Sequence, residues 1–188
     1  MTASVPARYY EAFPNGNISC QLCPHTCFLE NGKIGVCGAR KNRNGVLLAL
    51  TYSEVTGHKL DPVEKKPLYH YFPGRDIYSI GGWGCNFKCI FCQNSAISQS
   101  ESPTVHMTPA DVAVRAVRDG SIGIAYTYNE PIIAIEFLMD CCQAVRKAGG
   151  KNVLVTNGYI NPAPLADLLP LVDAVNIDVK AFNNQFYK

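Results

Sequence analysis

A chain of 188 residues that is 47% apolar and 17% charged has enough apolar material for one principal core plus a small addition, and it does not have the composition of a disordered segment. Its formal net charge of +2 is too small to argue by itself for a nucleic acid or a membrane surface. No apolar run approaches the roughly 20 residues that span a bilayer, and residues 1–8 lack the apolar stretch of a secretory leader, so the chain reads as cytoplasmic with no membrane partner.

Nine cysteines are many for such a chain. They fall into three groups: Cys20, Cys23, Cys27 and Cys37; Cys85, Cys89 and Cys92; and Cys141 with Cys142. An odd total in tight clusters favours metal ligation over a disulfide framework. The first group has the spacing C-x2-C-x3-C-x9-C, with Gly32, Gly35 and Gly38 available for turns that bring distant thiols together. So short a segment has little core of its own, and ligation would supply much of its folding energy. Zinc and a second iron–sulfur cluster are both chemically reasonable; four free buried thiols are the bland alternative. His25 could replace one cysteine, although a surface histidine is the simpler reading.

Next comes a basic turn, Arg40 to Gly45, in which Asn44-Gly45 before Val46–Leu50 predicts a hairpin entering a buried strand. Asp61 to His70 is polar with two prolines and reads as a loop or linker, placed where it can close over whatever follows. Residues 1–75 are therefore expected to form a small cysteine-rich metal-binding module with a linker.

Asp76 to Gly82 is a strand-like run that leads into Cys85-Asn86-Phe87-Lys88-Cys89-Ile90-Phe91-Cys92. Three thiolates at C-x3-C-x2-C can hold three irons of a four-iron, four-sulfur cube. The fourth iron then lacks a cysteine, and an open coordination position marks a binding site rather than a structural one. Structural zinc wants a fourth ligand, and none lies within the next thirteen residues; His106 is the nearest candidate.

Beyond this loop helix and strand alternate. Thr108 caps a helix with Pro109 at its first position, Ile122–Tyr126 is a strand, and Pro131 opens a second helix that runs to about Lys147. Lys151–Thr156 is a strand, Pro162–Leu169 a helix and Ala174–Val179 a strand. This alternation predicts right-handed βαβ units and a parallel sheet. Cys141 and Cys142, adjacent on a helix, point about 100° apart and read as packing residues.

The cluster loop, with Phe91 directly before its last cysteine, resembles that of the radical S-adenosylmethionine (SAM) superfamily. The resemblance implies an α/β fold, a partial (β/α) barrel over residues 76–188 holding the first four βα units of a series that usually has six, and so a truncated one. It implies a [4Fe-4S] cluster on Cys85, Cys89 and Cys92 whose open iron is chelated by SAM, reductive cleavage of SAM, and hydrogen abstraction by a 5′-deoxyadenosyl radical. Chemistry in such barrels collects at the carboxyl ends of the strands. There the family has Gly-Gly-Glu-Pro, and this chain has Tyr128-Asn129-Glu130-Pro131. Thr156-Asn157-Gly158 and Asn176-Ile177-Asp178-Val179-Lys180 resemble strand ends of glycyl-radical-enzyme activases such as pyruvate formate-lyase activating enzyme, although Val155 stands where those have a cation-binding aspartate. By resemblance, Phe91 packs by the adenine, and Asn129, Glu130, Thr156, Asn176, Asp178 and Lys180 help bind SAM. Taken with Leu22, Pro24, Arg40, Asn42 and the Asp61–His70 segment, the match is closest to the radical SAM protein of the AmmeMemoRadiSam system. The implied partners are SAM, a reductase or flavodoxin-type electron donor, and a protein substrate as for the activases. The rival readings are a non-catalytic iron–sulfur or zinc module (an inactive fragment) and a zinc-binding interaction protein.

Overall fold

The glycine-rich first third of the chain favours short strands joined by turns. In the computed structural model, which describes residues 4–187, it forms β1 (Val5–Pro6), β2 (Tyr10–Ala12), β3 (Ile18–Cys20), β4 (Phe28–Leu29), β5 (Arg40–Arg43), β6 (Val46–Ala49) and β7 (Glu54–Val55). Six of these make two small antiparallel sheets, ordered β1-β6-β5 and β2-β3-β4. β5 and β6 are the expected hairpin. Its tip residues Asn44 and Gly45 have φ of 53° and 80°, the left-handed pair that a two-residue turn requires and that these residue types accept.

β8 (Gly57–Pro62) pairs antiparallel with the whole of β9 (Asp76–Gly81). The segment expected as a loop from Asp61 is thus part strand: Asp61 and Pro62 close the ladder, and only a single 3-10 turn (Val63–Lys65) and irregular chain connect it to β9. Pro62 is tolerated because β8 is an edge strand. The division expected at residue 75 runs through this hairpin, and β8 lies in the same sheet as the strand that leads into the Cys85–Cys92 loop.

The remainder follows the expected alternation. A short helix α1 (Ser95–Ser98) and β10 (Val105–His106), the partner of β7, precede α2 (Pro109–Ala116) and β11 (Ser121–Tyr126). A 3-10 turn at Pro131–Ala134 runs into α3 (Ile135–Lys147), followed by β12 (Lys151–Thr156), α4 (Pro162–Leu168) and β13 (Ala174–Ile177). The main sheet has the order β13-β12-β11-β9-β8, with β9, β11, β12 and β13 mutually parallel. α2 begins at a reciprocal cap: Asp111 N–H donates to Thr108 Oγ1 (3.2 Å) and Thr108 N–H to Asp111 Oδ2 (2.9 Å).

One apolar core joins the two parts of the chain. Ile124, Leu154, Leu138 and Val145 are buried together with Ile18, Leu22, Leu29 and Leu47 of the small sheets. Cys141 and Cys142 are fully buried in that core, as packing residues should be. A buried ion pair crosses the same seam. Arg40 on β5 donates to Glu136 on α3 (2.9 Å), with side chains 1% and 6% exposed, and Glu136 also accepts the backbone N–H of Arg8 (2.6 Å). Truncating one member of such a pair strands the other charge away from water. Glu136→Ala is expected to lower the unfolding free energy by about 3–5 kcal/mol in a urea titration. Lys151→Ala, which removes the half-exposed pair with Asp173, should cost less than about 1 kcal/mol.

Candidate active site

Parallel strands end at one edge of a sheet, so the loops that follow them meet there. The loops after β9, β11, β12 and β13 enclose a cavity of about 680 Å³, within the usual range for small-molecule sites. Cys85, Cys89, Phe91 and Cys92 line it from the first loop, Tyr128, Asn129 and Glu130 from the second, Thr156 and Asn157 from the third, and Asp178 and Lys180 from the fourth. Asp61, Lys65 and Lys66 form the facing wall.

The cysteine loop begins at a point where only glycine fits. Gly84 has φ +87°, and a Cβ there would stand 2.5 Å from the carbonyl oxygen of Cys37. Cys85 N–H then donates to that same oxygen (3.2 Å), Phe87 N–H to Cys85 Sγ (3.3 Å), and Cys92 Sγ lies 3.2 Å from Ser98 Oγ. Asn86, buried, donates to Tyr159 O (2.9 Å) and accepts from Asn157 Nδ2 (2.8 Å), which ties this loop to the end of β12. Burial pushes the Cys85 thiol up to about 11 and also raises Cys89, and the two thiols and Cys92 lie near enough for their charges to repel. Among the described residues no three Cys, His, Asp or Glu side chains converge as ligands of a single ion do. A four-iron cube asks for something else, since each iron takes one thiolate at its own corner. Three partly buried thiols spread over one cavity wall suit that arrangement.

Glu130 is the electrostatic centre of the opposite wall. Its side chain accepts from Thr156 Oγ1 (2.6 Å), Asn157 N–H (2.8 Å) and Ile132 N–H (3.3 Å). Burial nonetheless pushes its carboxyl up to about 7, against the pull of these bonds. Among the described residues no cation pairs with it. A buried carboxylate with only neutral donors is a receptor for an ammonium group. The amino group of SAM is such a group, so Glu130 and the three thiols together fit the cofactors that the sequence implies.

The two residues standing in for the family's glycines do different work. Tyr128 keeps a left-handed backbone, φ 70°, which glycine would adopt freely and which costs tyrosine about 1–2 kcal/mol. Its hydroxyl donates to Asp61 (3.0 Å), and the Lys66 ammonium lies 5.4 Å over its ring. Asp61 also accepts from the buried Lys66 (3.1 Å) and from Lys65 (3.2 Å). Burial works against the charge of Asp61, but these donors outweigh it and hold the carboxyl below its ordinary value. Asn129 accepts from Gly82 N–H and donates to Gly84 O, both at 3.0 Å. Its amide is spent on holding the start of the cysteine loop, which makes it a brace within the protein.

The other expected residues are placed unevenly. Phe91 is 59% exposed and stacks on Phe186, with ring centroids 6.4 Å apart. Asp178 and Lys180 line the cavity as an ion pair at 2.9 Å. Asn176 does not line it, and its Oδ1 is buried without a partner. The segment expected to close over the site, Asp61 to His70, does face the cavity, but the ties of Asp61 to Lys66 and Tyr128 are not legible in a loop reading, since Asp61 stands on β8; the alternation of Lys59 and Asp61 on one strand face is the available signal. Cys20, Cys23, Cys27 and Cys37 lie outside this cavity, around a small pocket of their own.

Comparison with known proteins agrees with the geometry. The family described as the radical SAM superfamily matches residues 80–188, from the end of β9 onward. Over 185 residues the chain is 44% identical to an uncharacterized protein of Methanocaldococcus jannaschii, covering 97% of this chain and 55% of that protein. Over 112 residues it is 28% identical to pyruvate formate-lyase 1-activating enzyme of Escherichia coli K12, covering 56% of this chain and 46% of that enzyme. The Shigella flexneri enzyme of the same name gives the same figures. The chain thus spans about half the length of the curated relatives it matches. More than half of the chain, including the cysteine loop and all four strand ends around the cavity, carries the family match: the chain belongs to the radical SAM superfamily.

Proposed function

We propose that the protein is a radical SAM enzyme of the activating-enzyme kind, with a [4Fe-4S] cluster on Cys85, Cys89 and Cys92 and SAM beside it in the cavity. The observation that carries this reading is the meeting, in one cavity, of three partly buried thiols and the buried Glu130, which feels the charge of Lys180 but accepts hydrogen bonds from neutral donors alone. When bound, the cluster and SAM supply reductive cleavage of the sulfonium and a carbon radical that takes a hydrogen atom from the substrate. The protein's own residues position and shield. Glu130 receives the amino group, while Thr156 and the Asn157 amide fix the carboxylate that receives it. Asp178 and Lys180 offer a polar pair at the mouth, Phe91 a ring face for the adenine, and Asn129 rigidity to the cysteine loop. Electrons would come from a reductase or flavodoxin-type donor. The printed name of the Escherichia coli relative, an enzyme that activates pyruvate formate-lyase, favours a protein as substrate.

Anaerobic reconstitution with iron and sulfide, followed by dithionite and SAM, is expected to release 5′-deoxyadenosine, and Cys85→Ala/Cys89→Ala/Cys92→Ala to release none. An assembled cluster that yields no 5′-deoxyadenosine would instead leave a non-catalytic iron–sulfur module. Glu130→Gln should weaken SAM binding by roughly 10- to 100-fold in calorimetry, the size of a hydrogen bond to a charged group. The pH dependence has a definite sign. Without ligand, the raised value near 7 means that the stability Glu130 contributes at low pH is lost as pH climbs through 7. An ammonium ligand needs the ionised form, so SAM binding should tighten over the same interval and stay flat in Glu130→Gln.

A further inference from the structure

The four amino-terminal cysteines are unused by the reading above, yet they are gathered at one point. Cys20 ends β3, Cys23 and Cys27 lie in the turn before β4, and Cys37 precedes β5. All four line one small pocket with Arg40 and His25, and all are free of disulfides. Cys20 N–H donates to Cys27 O (3.0 Å), so the backbone itself folds the two ends of the C-x2-C-x3-C segment together. This differs from Cys141 and Cys142, which are buried in the apolar core on a helix.

Arg40 supplies an independent observation. It is 1% exposed, and its terminal nitrogens are taken by Glu136, Arg8 O and Ile133 O. Its Nε–H is buried with no partner at all. An unanswered buried donor costs about 1–3 kcal/mol, more when charged, and here it belongs to a side chain that lines a pocket of four sulfurs. A thiolate is an acceptor of the kind it lacks, and four thiols line the same pocket. His25 is committed elsewhere: its Nε2 lies 2.8 Å from Asn86 O in the cluster loop.

We propose that Cys20, Cys23, Cys27 and Cys37 bind one divalent ion, zinc, as a four-thiolate centre that receives the Arg40 Nε–H. The pocket is small, about 10 Å³ against about 680 Å³ for the cavity at the strand ends, which suits a single ion. The thiols do not stand ready-made at single-ion distances; the backbone brings the four around one pocket, and side-chain rotation closes the set. Zinc suits tetrahedral thiolate coordination and carries no redox chemistry of its own. The centre would act on the neighbouring site by position. Cys37 O holds Cys85 N–H, and its approach to Gly84 leaves no space for a methyl group, so the zinc loop and the cluster loop press directly on one another.

The test uses the chain with Cys85→Ala/Cys89→Ala/Cys92→Ala, in which the SAM cluster cannot form, so that the outcome is independent of the radical reading. Anaerobically purified, it should retain about one zinc per chain by elemental analysis, and the further changes Cys20→Ala and Cys37→Ala should abolish it. Cobalt(II) added to the metal-stripped triple variant should give an intense sulfur-to-cobalt charge-transfer band that saturates at about one equivalent; this needs no folded quintuple variant. Absence of both zinc and the cobalt band would overturn the proposal. Iron with acid-labile sulfide retained in place of zinc would overturn the single-ion centre.

Discussion

Parallel pairing is the constraint on which this site depends. β9, β11, β12 and β13 run in one direction, so four connections must leave the sheet at the same edge, and each brings its own chemistry to a shared cavity. The cysteine loop, the Tyr128–Glu130 turn, Thr156–Asn157 and the Asp178–Lys180 pair are far apart in sequence and meet for this reason alone. The hydrogen bonds between them, from Asn157 to Asn86 and from Asn157 N–H to Glu130, lock the meeting into one geometry.

The electrostatics of the cavity are divided between its walls. On one wall the carboxylate of Asp61 is answered by two lysines and a tyrosine and is kept ionised. On the other, Glu130 is deeper, is met by neutral donors only, and hovers near neutrality. Two carboxylates in one cavity are thus held in opposite conditions, one ion-paired within the protein and one buried among neutral donors. Tyr128 pays a backbone strain to stand between them.

Much of this was legible in the amino-acid order. The alternation of strand and helix after Asp76 follows from local periodicity, and the observed elements match it to within a few residues. The features that escaped are those set by distant partners. β8 carries a glycine, a histidine, a lysine and a proline in six residues, and only its pairing with β9 makes it a strand. Asn129 looks like a ligand-binding amide until its two backbone partners, 45 and 47 residues away, are seen. The Arg40–Glu136 pair joins positions 96 apart, with nothing local in either segment to announce it. The end of β13 at Ile177, short of the expected Val179, places Asn176 away from the cavity while Asp178 and Lys180 reach it.

The antiparallel strand β8 also limits the architecture as a whole. Its ladder occupies the free side of β9 from Gly57 to Pro62, so no further parallel strand can dock there. Within this sheet the like-directed strands β9, β11, β12 and β13 are thus bordered on one side by a strand of opposite direction. On that side the cavity is therefore bounded by a strand of opposite direction, whose Lys59 and Asp61 face it from along the ladder and not from a strand end.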